Sequence, residues 1–184
     1  MKRRAVFLIV ALAATTILGD ATALAADRID QRNMLTEGVA RFGSGVFPVS
    51  QMQTFTAGAT GTIDKVSIYL QAQTSTPSRA GSVLVQVFPG DDAGNADMSH
   101  QPLGSGSALA TTFPDPAGWV TIRLTTRAAV RKGTRYALVV GSDVSTDFGW
   151  YGSTEDQYPR GRTPFDANAD YFFQTYLVHH RRHH

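Results

Sequence analysis

From residue 50 onward apolar residues recur at every second position, and this period of two constrains the fold more than any other feature of the chain. Ile63, Val66, Ile68 and Leu70 open the pattern. Val83, Val85 and Val87 repeat it, with Leu84, Gln86 and Phe88 on the other face. Val120, Ile122 and Leu124 form a third run, Tyr136, Leu138 and Val140 a fourth with Ala137 and Val139 opposite, and Tyr171, Phe173 and Thr175 a fifth. Successive side chains of a strand point to opposite faces, so each run predicts a strand. Shorter candidates cover residues 51–56, 107–113 and 148–151, giving about eight strands at the spacing of all-β domains. Turn formers separate them, at Gly58 and Gly61, 77–81, 89–95, 114–118, Lys132 with Gly133, and 158–164. No amphipathic helical stretch lies between them, which disfavours a parallel βαβ arrangement. The expected fold is all-β, an antiparallel two-sheet β-sandwich of jelly-roll type, because that arrangement buries one face of each strand and leaves few open edges.

The first residues have a different character. Lys2, Arg3 and Arg4 precede an apolar run from Ala5 to Leu18, and Ala23 and Ala25 put small residues at the −3 and −1 positions of a signal-peptidase site. Residues 1–25 therefore read as a secretory signal peptide, and a secreted protein is expected. The run is shorter than the roughly 20 residues of a spanning helix, so no stable membrane insertion is expected after cleavage. Residues 26–178 form the expected single domain, within which 26–49 reads as an edge strand or a flexible lead-in because Gly38, Gly43, Gly45 and Pro48 interrupt it. Residues 179–184 form a His/Arg-rich tail.

Composition narrows the function classes. The chain has 17 basic and 15 acidic residues, and removing Lys2, Arg3, Arg4 and Asp20 with the leader leaves fourteen of each. A neutral body offers no electrostatic case for nucleic-acid binding. The chain has no cysteine, so an exported domain must be held by its core.

Several motifs carry a family resemblance: residues 53–58 (Gln-Thr-Phe-Thr-Ala-Gly), 63–66 (Ile-Asp-Lys-Val), 133–140 (Gly-Thr-Arg-Tyr-Ala-Leu-Val-Val), 150–152 (Trp-Tyr-Gly) and 170–176 (Asp-Tyr-Phe-Phe-Gln-Thr-Tyr). Together they resemble the choice-of-anchor R-type jelly-roll domains of secreted bacterial proteins, over about residues 30–176. The resemblance implies an architecture similar to carbohydrate-binding modules. It carries over no catalytic residue.

Catalytic constellations are sparse. Outside the tail the only histidine is His100, in a polar stretch that reads as a surface loop, and no Gly-x-Ser-x-Gly elbow occurs. Glu37 and Glu155 are the only glutamates, and most aspartates sit beside turn formers. The chain is thus expected not to be an enzyme, a small glycoside hydrolase being the remoter alternative. Asp91, Asp92, Asn95 and Asp97 are the densest oxygen-ligand group. They read first as a hairpin turn and second as a calcium loop, so no cofactor is expected.

The aromatic segment near the C-terminus is more informative. Trp150 and Tyr151 are adjacent in a predicted strand, so one ring faces inward and the other outward. Tyr158, Arg160, Arg162, Asp166 and Asp170 follow. Flat rings beside hydrogen-bonding side chains suit a sugar, which presents an apolar face and hydroxyls, although aromatics also fill sandwich cores. The expected ligand-binding set is therefore Trp150, Tyr151, Tyr158, Arg160, Arg162, Asp166 and Asp170, for a glycan or cell-envelope polymer. The competing reading is a structural or protein-interaction β-sandwich with a protein partner and no small-ligand site.

Overall fold

The computed structural model describes residues 27–34, 39–44, 50–72, 81–142, 148–166 and 168–178. The expected leader at 1–25 and the tail at 179–184 lie outside the described residues. The described residues form eleven strands: β1 (Arg28–Asn33), β2 (Val39–Ser44), β3 (Gln51–Thr56), β4 (Gly61–Ala72), β5 (Ser82–Pro89), β6 (Gly104–Leu109), β7 (Gly118–Val130), β8 (Arg135–Ser142), β9 (Phe148–Ser153), β10 (Asp170–Tyr171) and β11 (Phe173–Val178). No α-helix occurs among the described residues, and the one 3-10 turn is Ala110–Thr112.

All pairings are antiparallel. The strands follow one path, β1-β11-β4-β7-β6-β5-β8-β3, with β9 beside the end of β4 and β2 and β10 on β9. The fold is all-β, and this antiparallel sheet rolls into a nearly closed barrel. The long strand β7 links the two halves of the path: residues 118–123 and 128–130 pair with β4 on one side, and Thr126 pairs with Ser105 of β6 on the other. The register against β4 shifts between Ile63 and Lys65, the kind of bulge that bends a strand.

Alternation decides the interior. Val66, Ile68, Leu70, Val83, Val85, Val87, Ile122, Leu124, Leu138 and Val140 are all buried in one cluster, together with Phe55, Phe148, Trp150 and Phe173. Leu84, of opposite parity in β5, is exposed. The candidate at 107–113 is shifted: β6 begins at Gly104 and ends at Leu109. Glycine is needed here, since a Cβ on Gly106 would lie 2.4 Å from the Arg123 carbonyl oxygen of β7.

The two ends of the path, β1 and β3, are joined by the connection after β9. Thr54 N–H donates to the Arg162 carbonyl (2.8 Å), Arg162 N–H donates to Thr54 Oγ1 (2.9 Å), and Thr56 Oγ1–H donates to the Arg160 carbonyl (2.8 Å). From the same loop Tyr158 O–H donates to Gln31 Oε1 of β1 (2.6 Å). Gly58 N–H donates to Asp30 Oδ2 (3.1 Å) across the same gap. The loop thus covers the free edge of β3 and closes the seam.

Candidate functional site

The inward side chains of β4 and β7 are apolar, so the residues between them line the outer face of the same two strands. Register makes rungs of them: Tyr69 opposite Trp119, Ser67 opposite Thr121, Lys65 opposite Arg123. Successive rungs are two residues, about 6.6 Å, apart.

The first rung is aromatic. Tyr69 lies edge-on to Trp119 at 5.4 Å and 72° and to Tyr151 of β9 at 5.9 Å and 90°. The three rings thus make a row across β7, β4 and β9, each half-buried. Phe172, fully buried, meets Tyr69 at 6.4 Å, and its backbone bridges the strands by donating to the Tyr151 carbonyl and accepting from Tyr69 N–H. Beside the row, Tyr151 O–H donates to Gln71 Oε1 (2.6 Å), and Gln71 Nε2–H donates to Asp115 Oδ1 (3.1 Å). The second rung is hydroxylic: Ser67 Oγ and Thr121 Oγ1 are 2.7 Å apart, and Ser67 also reaches Tyr176 O–H, which donates to Gln174 Oε1. The third is cationic. Lys65 is ion-paired with Asp27 and lies 5.6 Å from the Tyr176 ring centroid.

This face combines what a pyranose ring needs: aromatic surface for its C–H face, and fixed amide, carboxylate and hydroxyl groups for its hydroxyls. Neither Tyr69 nor Trp119 was singled out in the sequence. The signal was their parity, since each is a large aromatic at a position where alternation calls for a solvent-facing side chain.

The aromatic segment divides. Trp150 is buried, stacked on Tyr171 at 4.2 Å and 16°, with its indole N–H donating to the Phe172 carbonyl (2.9 Å), whereas Tyr151 faces outward and joins the row. Tyr158 is buried edge-on to Phe173, and burial pushes its phenol above the usual range. Asp170 is 1% exposed. Its Oδ1 accepts from Gln53 Nε2–H (2.8 Å) and its Oδ2 from the N–H groups of Gln157 (3.0 Å) and Tyr158 (2.8 Å). Burial nevertheless pushes its pKa up to about 6. Arg160 and Arg162 use their backbones to pair with β3 while their side chains are exposed, and exposed Asp166 accepts from Asn168 N–H in a turn. Of the seven expected residues, only Tyr151 lies in the outer row; Trp150, Tyr158 and Asp170 belong to the interior.

The Asp91 group is engaged within its own turn. Asp91 accepts from Ala93 N–H, Asn95 N–H and Asn95 Nδ2–H, bonds that lower its pKa, while Asp92 pairs with Arg135 (2.9 Å) and Asp97 accepts from Ser99. Among the described residues no group of three or more His, Asp or Glu side chains is placed to hold a metal ion. Ser99, His100 and Asp97 are neighbours, yet Ser99 Oγ (3.0 Å) and Asp97 Oδ2 (3.2 Å) meet the same ring nitrogen of an exposed histidine. A nucleophile relay requires the two partners on opposite ring nitrogens. An open depression of about 570 Å3 beside β1, lined by Arg32, Asn33, Met34 and Gln157, presents one charged group and no acid–base pair.

No protein-family model and no curated protein matches the sequence. The outer face of β4, β7 and β9 therefore stands on its own geometry as the candidate site.

Proposed function

We propose that the protein is a secreted, non-catalytic glycan-binding module that holds carbohydrate on the outer face of β4, β7 and β9. The observation that carries this reading is the row of half-buried rings, Trp119, Tyr69 and Tyr151, flanked by Gln71 and Asp115. Three strands each contribute one ring, so the row is fixed by the sheet and needs little ordering on binding. The finer fold reading goes with it: the rolled sheet is a two-layered sandwich of jelly-roll type, as the resemblance to choice-of-anchor R-type domains implies. Ligand lies on the outside of one layer, and the core stays closed.

The test is a glycan-array screen, with and without calcium, followed by titration of Trp119→Ala against the glycan bound best. Loss of one stacking ring removes about 1 kcal/mol, so affinity should fall by about fivefold. Thermal stability should change little because the ring is half-exposed. Wild-type affinity in Trp119→Ala would overturn the site.

One observation favours the interaction-module reading. Leu84 and Leu109 are exposed on neighbouring positions of β5 and β6, diagonal across the pairing of Ser82 with Leu109. Concentration-dependent self-association lost in Leu84→Ser, without any glycan binding, would favour it instead.

A further inference from the structure

The aromatic row is one end of a longer face. β7 continues from Trp119 and Thr121 to Arg123, then past the bulge to Arg127 and its end at Val130, and Arg131 and Lys132 follow in the connection to β8. These four side chains are exposed, and Lys65 stands directly across from Arg123. Five cations thus follow this path, Arg123 and Arg127 on β7, Arg131 and Lys132 just past its end, and Lys65 on β4. Among the described residues, Lys65 has Asp27 as a partner, and the other four are in no ion pair. Like charges opposite one another in a sheet repel. Asp27 offsets this at Lys65, whereas an anion laid along Arg123, Arg127, Arg131 and Lys132 would supply the counter-charge they lack.

We propose that this face takes an anionic polysaccharide, laid along β7 with sugar rings against Trp119 and Tyr69 and acidic groups against Arg123, Arg127 and Arg131. The proposal rests on the glycan reading above and names the class of glycan. Trp119 to Arg123 spans about 13 Å of strand, with the exposed Thr121 hydroxyl, held by buried Ser67, between them, so rings, a hydroxyl and charges follow one another along a single line. A carboxylated sugar chain offers the same three chemistries. A lipid surface fits less well, because none of the exposed large apolar side chains among the described residues lies on β4 or β7.

The experiment measures binding of the whole protein to polygalacturonate, alginate and hyaluronate, with dextran and cello-oligosaccharides as neutral probes. The variants are Trp119→Ala and the triple Arg123→Gln, Arg127→Gln, Arg131→Gln, whose exposed side chains leave the melting temperature as a check on folding. At least one acidic polymer should bind, about tenfold more weakly at 0.3 M than at 0.05 M salt, and the triple variant should lose that binding and its salt dependence. Neutral-glycan affinity should be unchanged in the triple variant. Binding of neutral glycans with no acidic polymer bound would overturn this proposal and leave the glycan reading standing, whereas no glycan bound at all would overturn both. Equal binding of acidic polymer by wild type and triple variant would also overturn it. So would duplex DNA or phosphatidylglycerol vesicles bound as tightly as the acidic polymer.

Discussion

Asp170 shows how a single buried carboxylate organises the connection after β9. It accepts three hydrogen bonds, two from the backbone of the loop and one from fully buried Gln53, whose Oε1 in turn accepts from Tyr171 N–H (2.9 Å). Burial outweighs these bonds and sets its pKa near 6, against an ordinary value of 3.8. The folded protein therefore holds this proton more tightly than the unfolded chain does. The resulting stability is fully present below about 3.8 and is lost as pH rises through about 6. Asp30, also raised by burial, acts in the same direction. Asp91 and Asp97 are lowered by hydrogen bonds in their turns, and their contribution disappears only in more acid solution. Urea midpoints should consequently rise between about pH 7.5 and pH 5. Asp170→Asn should flatten that rise and cost about 1–3 kcal/mol, because its NH2 group must face either the Gln53 amide or the two loop N–H donors. A wild-type midpoint that fell steadily over this interval would contradict the assignment.

Strand edges and close approaches govern the next level. The loop at 160–162 lies against β3 as a substitute strand and satisfies an edge that would otherwise template aggregation. That approach needs Gly161, since a Cβ there would stand 1.8 Å from the Thr54 carbonyl oxygen. Gly161→Ala should therefore lift the loop from β3, lowering stability by about 2 kcal/mol or more and exposing residues 154–164 to limited proteolysis. An intact, protease-resistant loop in this variant would show that the edge is covered some other way. Elements with strong alternation were legible in the sequence: β4, β5, β7 and β8 contain the runs predicted for them, and β3 matches residues 51–56. β6 was placed late because its start is a Gly-Ser stretch, where local propensity says turn and the approach of β7 overrides it. The run of Tyr171, Phe173 and Thr175 read as one strand, yet it divides at Phe172, whose backbone bonds to two different strands. The same limit applies to the site. Sequence shows that Trp150 and Tyr151 must separate, but only the pairing of β4 with β7 and β9 brings Tyr69 and Trp119 beside Tyr151.

At the scale of the whole molecule, the core and the proposed glycan site lie on opposite surfaces of one sheet. The inner surface holds the apolar core and the seam between β1 and β3; the outer surface of β4, β7 and β9 holds the aromatic row. This separation makes a paired prediction possible. Tyr158→Phe keeps the ring against Phe173 but deletes the hydroxyl, leaving Gln31 Oε1 buried without that donor. An orphaned buried acceptor costs about 1–3 kcal/mol, so the denaturation midpoint should drop clearly. Glycan affinity measured well below that midpoint should stay at the wild-type value, because no ring or polar group of the outer face is touched. Trp119→Ala should do the reverse, lowering affinity by about fivefold while the midpoint barely moves. Measuring both variants by calorimetric titration and urea denaturation decides the matter. If Tyr158→Phe weakens binding as much as Trp119→Ala does, with the protein still folded, the ligand contacts the seam and its loop, and the set around Tyr158, Arg160 and Arg162 regains its claim to the site.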